Sequence, residues 1–170
     1  MDGQKYGTID FSGEFVTPPR YDQIAGYSDG LAIVRSGDRY GAVNRAGALV
    51  VELKFEQIQP FASGAAEAYI EGKCCIIDAT GRFLVAPEYH WLDTEVRDGR
   101  RLVRKKAKFG YTDSQGRLVI PLDYDWAERF EGGIGRVGMD VSPVLDGANF
   151  ERGKWGYIDV KGKWIWKPTE

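Results

Sequence analysis

An excess of charge of one sign is almost missing. The chain sets 23 Lys and Arg against 25 Asp and Glu, a net charge of −2 over 170 residues. That excludes the general basic character of a protein that coats nucleic acid. Histidine occurs once, at His90, and cysteine only as the adjacent pair Cys74 and Cys75. A single histidine leaves no His-rich metal site, and two vicinal thiols without spaced partners make none either. Neighbouring strand residues point to opposite faces, so a Cys74–Cys75 bridge is strained. Disulfide stapling is excluded on that ground, and a reducing cytoplasm is the expected compartment. No apolar run approaches the roughly 20 residues of a spanning helix. The opening MDGQKYGTID has no basic stretch followed by an apolar one, so no signal peptide is expected in the chain as given.

Glycine and aromatic rings are what the chain has in quantity. There are 22 Gly, with 5 Trp, 9 Tyr and 8 Phe, in a chain that is 43% hydrophobic and 28% charged. Glycine stands near twice its usual ~7%, which points to many turns between short strands in a globular protein. No segment sustains the 3,4 apolar spacing of a helix over three turns.

An internal repeat organises these residues. KYGTIDFSG from Lys5, RYGAVNRAG from Arg39, KCCIIDATG from Lys73, KFGYTDSQG from Lys108 and KWGYIDVKG from Lys154 align without gaps. Their starts are separated by 34, 34, 35 and 46 residues. Each carries Asp or Asn (Asp10, Asn44, Asp78, Asp113, Asp159) and, three positions on, Gly (Gly13, Gly47, Gly81, Gly116, Gly162). That spacing predicts a tight turn: the Asx side chain accepts a backbone N–H two residues on, and the glycine takes the φ > 0 position. A second strand follows and ends at Pro18-Pro19, Pro87, Pro121 or Pro168. An irregular link built on Tyr21-Asp22, Phe55-Glu56, Tyr89-His90 or Tyr124-Asp125 leads to a third strand such as Leu31–Val34.

The expected fold is therefore all-β. Five tandem repeats of three short strands each, the fifth contributing two, about fourteen strands together, make one repeat domain over 1–170. A unit of this size cannot bury its own face, so the units must stack. An open, twisted array is the expected arrangement, with a closed propeller-like ring as the alternative. A glycine inside a strand marks close approach of a neighbour, and here an aromatic ring lying across it is expected. Trp155 is expected to be buried in this way.

KWGYID at Lys154–Asp159 with its downstream glycine resembles the bacterial WG-repeat family, named for its recurring Trp-Gly. The resemblance runs from Lys5 to Pro168 and implies a β-rich binding fold without catalytic residues. Three features depart from it. Only the fifth repeat has Trp in the aromatic slot, Cys74-Cys75 replaces the aromatic-Gly pair of the third, and an insertion of about twelve residues lies near 138–153.

No catalytic constellation emerges. The recurring Asp and Asn are accounted for as turn caps, and His90 sits where other repeats carry an acid. No G-x-S-x-G elbow or phosphate-cradling glycine loop opens a helix. No cofactor and no metal are expected. What breaks the repeat average is a basic run (Arg97, Arg100, Arg101, Arg104, Lys105, Lys106, Lys108), the link residues Trp91 and Trp126 where Gln23 and Gln57 stand earlier, and the insertion. Trp and Arg dominate interface energetics. The expected contact surface is Trp91, Arg97, Arg100, Arg101 and Trp126 with Met139, Leu145 and Phe150. The expected function is a non-enzymatic module that binds a protein, in the manner of an adaptor or a toxin-neutralising immunity partner. Binding of nucleic acid or another anionic surface through 97–108 is the alternative.

Overall fold

A computed structural model describes residues 4–141 and 153–168; Leu145, Phe150 and most of the insertion lie outside them. Eighteen strands run through the described residues, and every paired register is antiparallel. They are β1 (Tyr6–Ile9), β2 (Phe15–Tyr21), β3 (Gln23–Ser28), β4 (Leu31–Ser36), β5 (Arg39–Asn44), β6 (Leu49–Phe55), β7 (Gln57–Ile58), β8 (Ala65–Ile70) and β9 (Lys73–Asp78). Then follow β10 (Phe83–Tyr89), β11 (Trp91–Leu92), β12 (Arg101–Lys105), β13 (Lys108–Thr112), β14 (Leu118–Tyr124), β15 (Trp126–Ala127), β16 (Ile134–Met139), β17 (Lys154–Asp159) and β18 (Trp164–Trp166). Four more strands exist than the sequence pattern predicts. They are β3, β7, β11 and β15, formed by the links themselves, two of which begin with tryptophan.

The sheets are out of phase with the sequence repeat. A four-stranded sheet takes the link and third strand of one repeat and the first and second strands of the next: β3-β4-β5-β6, β7-β8-β9-β10, β11-β12-β13-β14 and β15-β16-β17-β18. The first repeat's hairpin β1-β2 is a two-stranded sheet by itself, and no sheet closes into a barrel. β1 and β18 each pair with one neighbour only, so no ladder joins the first repeat to the fifth among the described residues. Contacts divide the chain into two compact units, Met1–Pro87 and Glu88–Glu170, and the boundary falls inside the third repeat.

Within each unit, the alternation of the inner strands supplies the core. In the first, Ala42, Val51 and Phe55 of one sheet meet Ile58, Phe61, Ala66 and Ala68 of the next. In the second, Tyr111, Ile120 and Tyr124 meet Phe130, Val137 and Ile158. The Tyr111 and Phe130 rings pack edge to face at 4.7 Å.

All five turn glycines have positive φ, from 78° to 88°, as the Asx-x-x-Gly spacing predicts. In the first turn, Asp10 Oδ1 accepts N–H bonds from Ser12 (2.8 Å) and Glu14 (3.1 Å), and Gly13 N–H donates to the Asp10 carbonyl. Asn44 does the same through Oδ1 toward Ala46 and Ala48, both at 3.0 Å. Three of these turns, at Gly47, Gly81 and Gly162, also leave no free room for a side chain. A Cβ on Gly47 would strike the Val16 carbonyl, and would come within 2.7 Å of Thr17 Oγ1; one on Gly81 would press Val51 at 3.2 Å. Each turn thus lies on the buried second-strand residue of the preceding repeat.

The strand glycines are approached differently from the expectation. At Gly41 a Cβ would meet the Val51 carbonyl at 2.5 Å, and at Gly110 the Ile120 and Pro121 carbonyls at 2.7 Å. The close neighbour is backbone and not a ring, because a register shift beside each glycine swings the second strand over it. A ring occupies that place at Gly156, where Trp164 would come within 2.6 Å of the added carbon, and in β16 at Gly135, where Phe130 would come within 2.9 Å, and at Gly138 beside Trp155. Trp155 is half-buried and not buried. Its ring lies beside Gly138, its cross-strand partner, with the Arg136 guanidinium 4.0 Å from the ring centroid.

Two outcomes follow. Gly47→Val combines a left-handed backbone with a collision against main chain, whereas Gly13→Val meets open space and bears the backbone strain alone. Urea unfolding should show a loss of ~1–2 kcal/mol for Gly13→Val and at least ~3 kcal/mol for Gly47→Val. Equal losses would refute the packing role of the turn. The second outcome concerns acid. The Ser12 hydroxyl and neighbouring N–H groups hold the Asp10 carboxyl below its ordinary value, the Thr80 hydroxyl does so for Asp78, and the Lys163 N–H for Asp159. A carboxyl whose pKa is depressed on folding stabilises the fold above its unfolded pKa and ceases to as pH falls through the folded one. Melting temperature should therefore drop below about pH 4. The triple change Asp10→Asn, Asp78→Asn, Asp159→Asn should flatten that drop, since Asn44 makes the same turn without titrating.

Candidate functional site

The recurring polar residues are engaged within the fold. The acid after each link aromatic caps the next turn: Asp22 accepts from Gly37 N–H at 2.8 Å, Glu56 from Gly72 N–H at 3.1 Å, and Asp125 from Asp140 N–H at 2.7 Å. His90 holds the equivalent place and does the equivalent job, its Nδ1 accepting from Lys106 N–H at 3.0 Å. Lys5 and Lys108 close the arrangement with ion pairs to Asp22 and Asp125 at 2.7 and 2.6 Å. Cys74 and Cys75 are buried. Burial, reinforced by Glu67, pushes the Cys74 thiol up to about 12, and burial pushes Cys75 up to about 11. Neither is a thiolate at neutral pH. Among the described residues, no group of three or more His, Cys, Asp and Glu is placed to hold a metal ion.

The basic run is largely consumed by the structure. Arg101 is only 8% exposed, and its guanidinium donates to the Asp93 and Thr94 carbonyls at 2.6 and 2.9 Å. Arg100 reaches the Val160 carbonyl at 2.6 Å, Arg97 pairs with Glu95 at 2.7 Å, and Lys105 with Glu88 at 3.5 Å. Arg104 lies 5.9 Å from the Phe109 ring centroid. Met139 ends β16 and packs against the core of the second unit.

Arg101 is buried because the sheet makes room for it. In the sibling sheets a small residue faces a large apolar one: Ala32 opposite Val43, Ala66 opposite Ile77, Gly135 opposite Ile158. Here the sizes invert, with Arg101 opposite the wholly buried Thr112. The aromatic that covers the small residue elsewhere, as Phe130 covers Gly135, gives way at the equivalent position to the smaller Val96. Asp93, 3% exposed, receives Glu95 N–H at 3.0 Å and a two-pronged contact from Arg129, whose Nη2 donates to Oδ1 at 3.0 Å and whose Nε donates to Oδ2. That pair, 36 residues apart, escaped sequence reasoning. Its one visible trace was the appearance of an arginine in a column otherwise filled by Ala and Gly.

Trp91 and Trp126 are brought together. Both line a shallow apolar pocket of about 360 Å³ in the second unit, with Leu102, Arg104, Phe109 and Ala127. Strand pairing sets it up: Trp91 lies opposite Arg104 and Trp126 opposite Gly138, which places both indoles on link strands at sheet edges. The Phe109 ring meets Trp126 at 5.5 Å, and Trp91 is 36% exposed. The first unit has a counterpart of similar volume, about 360 Å³, lined by Gln23, Ile33, Arg35, Tyr40, Gln57 and Ile58 among others. The two depressions share their construction. They differ in that two glutamines have become two tryptophans.

Comparison with known proteins adds the family. No curated protein sequence matches the chain. A crystal structure of a protein of unknown function from Bacteroides caccae superposes over 86% of this chain and 80% of that chain, at 12% identity and a TM-score of 0.28, a likeness that carries no argument. The sequence model of the WG containing repeat matches at residues 6–40, 40–74 and 109–140. Those matches cover the first two repeats and the fourth, each containing the Asx-Gly turn, the second strand, the link and the third strand described above, and the chain belongs to the WG-containing-repeat family.

Proposed function

We propose that the chain is a non-enzymatic protein-binding module whose contact is the Trp91–Trp126 pocket. The observation that supports this is the exchange of Gln23 and Gln57 for Trp91 and Trp126 at equivalent positions of one repeated depression. Stacking does not require it, since the first unit stacks with glutamines there. An exchange of that kind turns a polar hollow into an aromatic one, and exposed tryptophan beside arginine is the composition of an interface hot spot. An adaptor or a toxin-neutralising immunity partner is the biological form this reading takes, in a reducing compartment that suits two unpaired thiols. No helix among the described residues is long and apolar enough to cross a membrane.

The anionic-surface reading has less to stand on. Of the seven basic residues in 97–108, Arg97, Lys105 and Lys108 have carboxylate partners, and Arg100 and Arg101 are tied to carbonyls. Arg104 and Lys106 are left to add a positive rim beside the pocket.

Selection of a randomised displayed peptide library on the protein, followed by titration of the enriched peptides, tests the proposal. Trp91→Gln with Trp126→Gln restores what the first unit carries, so the fold should persist by circular dichroism while affinity falls at least tenfold. Affinity should change by less than tenfold between about 50 and 200 mM salt, where a phosphate-driven complex loses several tenfold steps. Unchanged affinity in the folded double variant, or no enrichment, would overturn the reading.

A further inference from the structure

The third strand of one repeat and the first strand of the next meet at one recurring pair of residues: Arg35 opposite Tyr40, Tyr69 opposite Cys74, Arg104 opposite Phe109 and Gly138 opposite Trp155. Three of the four pairs are settled within the fold. The Tyr69 hydroxyl and the Cys74 thiol both donate to Glu67 Oε1, at 2.6 and 3.2 Å. Arg104 stands over the Phe109 ring, and Arg136, paired with Glu128, stands over Trp155. The first pair is left open. Among the described residues, neither the Arg35 guanidinium nor the Tyr40 hydroxyl has a hydrogen bond, an ion pair or a ring contact. Arg35 Nε is shut off from solvent with no acceptor, a cost the sibling pairs do not carry, while the two Nη groups stay open to solvent. Pairing extends the row: Gln23 lies opposite Arg35, and β7 brings Gln57 beside them. Both amides are likewise unengaged, and all four side chains line the first unit's depression of about 360 Å³ together with Ile33 and Ile58.

We propose that this depression binds a carboxylate carried on a short apolar stem, the carboxylate held by the Arg35 Nη pair and the stem lying on Ile33 and Ile58. The convergent groups are rich in donors: a guanidinium, a phenol and two primary amides. A planar guanidinium fork matches a carboxylate with two parallel bonds. Two acids stand nearby and neither satisfies the fork. Asp22 feels the Arg35 charge but gives its oxygens to Lys5 and to Gly37 N–H, and Glu56 accepts from Gly72 N–H. Their charges oppose a dianion such as phosphate and leave a place for a monoanion. The carboxylate has two possible sources, a free organic acid or the last residue of a peptide. This site is separate from the Trp91–Trp126 pocket and does not rest on it.

Chemical-shift titration of isotope-labelled protein tests this, with isocaproate, isocaproamide, inorganic phosphate and the tripeptide Gly-Gly-Leu as probes. Isocaproate should shift the amides of Gln23, Arg35, Tyr40 and Gln57 saturably, and should bind at least tenfold more tightly than its amide and more tightly than phosphate. Tighter binding of the tripeptide than of isocaproate assigns the source to a chain end, and the reverse order to a free acid. Arg35→Gln should weaken isocaproate at least tenfold with the circular dichroism of the fold retained. Should that variant fail to fold, Arg35→Lys keeps the charge and the stem without the fork, and should weaken it at least threefold. Trp91→Gln with Trp126→Gln should leave it unchanged. Equal affinity for acid and amide overturns the proposal. So does tighter binding of phosphate, the absence of saturable shifts at these residues, or unchanged affinity in a folded Arg35 variant.

Discussion

The ladder between the third strand of one repeat and the first strand of the next is the interaction on which the remainder depends. Val34 faces Gly41, Ala68 faces Cys75, Val103 faces Gly110 and Val137 faces Gly156, so the repeats are joined by main-chain hydrogen bonds across their seams. The sheet, not the sequence repeat, is consequently the unit that has an inside. The turn glycines act on the same seams from another direction, bringing Gly47 onto Thr17, Gly81 onto Val51 and Gly162 onto Ile120. Hydrogen bonding thus fastens each later repeat to its predecessor, close packing fastens the second, third and fifth at a different point, and neither requires a large core.

A scaffold fastened this way tolerates variation that does not touch the seams. His90 replaces a carboxylate because the turn it caps needs only an acceptor. Arg101 replaces alanine because Thr112 opposite gives up the volume, and because the Asp93 and Thr94 carbonyls accept from its Nη1. A buried polar group survives when its partners are built in. The same tolerance lets Trp91 and Trp126 stand on two-residue edge strands, where a large side chain displaces nothing.

Sequence reading reached the parts governed by local chemistry. Asx-x-x-Gly prescribes its own turn, and five copies of it made the all-β repeat legible; proline does not end the second strand as expected, since β2, β10 and β14 run through Pro18-Pro19, Pro87 and Pro121 to the link aromatic. The link strands were not legible, because pairs such as Gln57-Ile58 are too short to show a period and acquire strand geometry only from the neighbour they pair with. Glycine in a strand announced a close approach but not its agent, since a ring and a displaced carbonyl leave the same trace. Of the candidate site, the two tryptophans were marked by aligned links. The arginines misled, because a cation in a basic run reads the same whether it faces solvent or, like Arg101, donates into a turn. Asp93 and Arg129 meet only through sheet stacking, which no local pattern encodes.

The half-repeat offset between sheet and sequence has a genetic consequence. Each period delivers, in fixed order, one hairpin that completes the sheet behind it and one that opens the sheet ahead. A duplicated or deleted stretch of one period preserves that order wherever its ends fall, so unequal recombination between copies has no privileged breakpoint. Arrays of different lengths can arise from one another without passing through a frame in which strands lack partners in their interior. An excised fragment behaves oppositely. Cut at the edges of the sequence motif it exposes half a sheet at its first end, while cut before a link, at Gln23 or Gln57, it begins with a whole one.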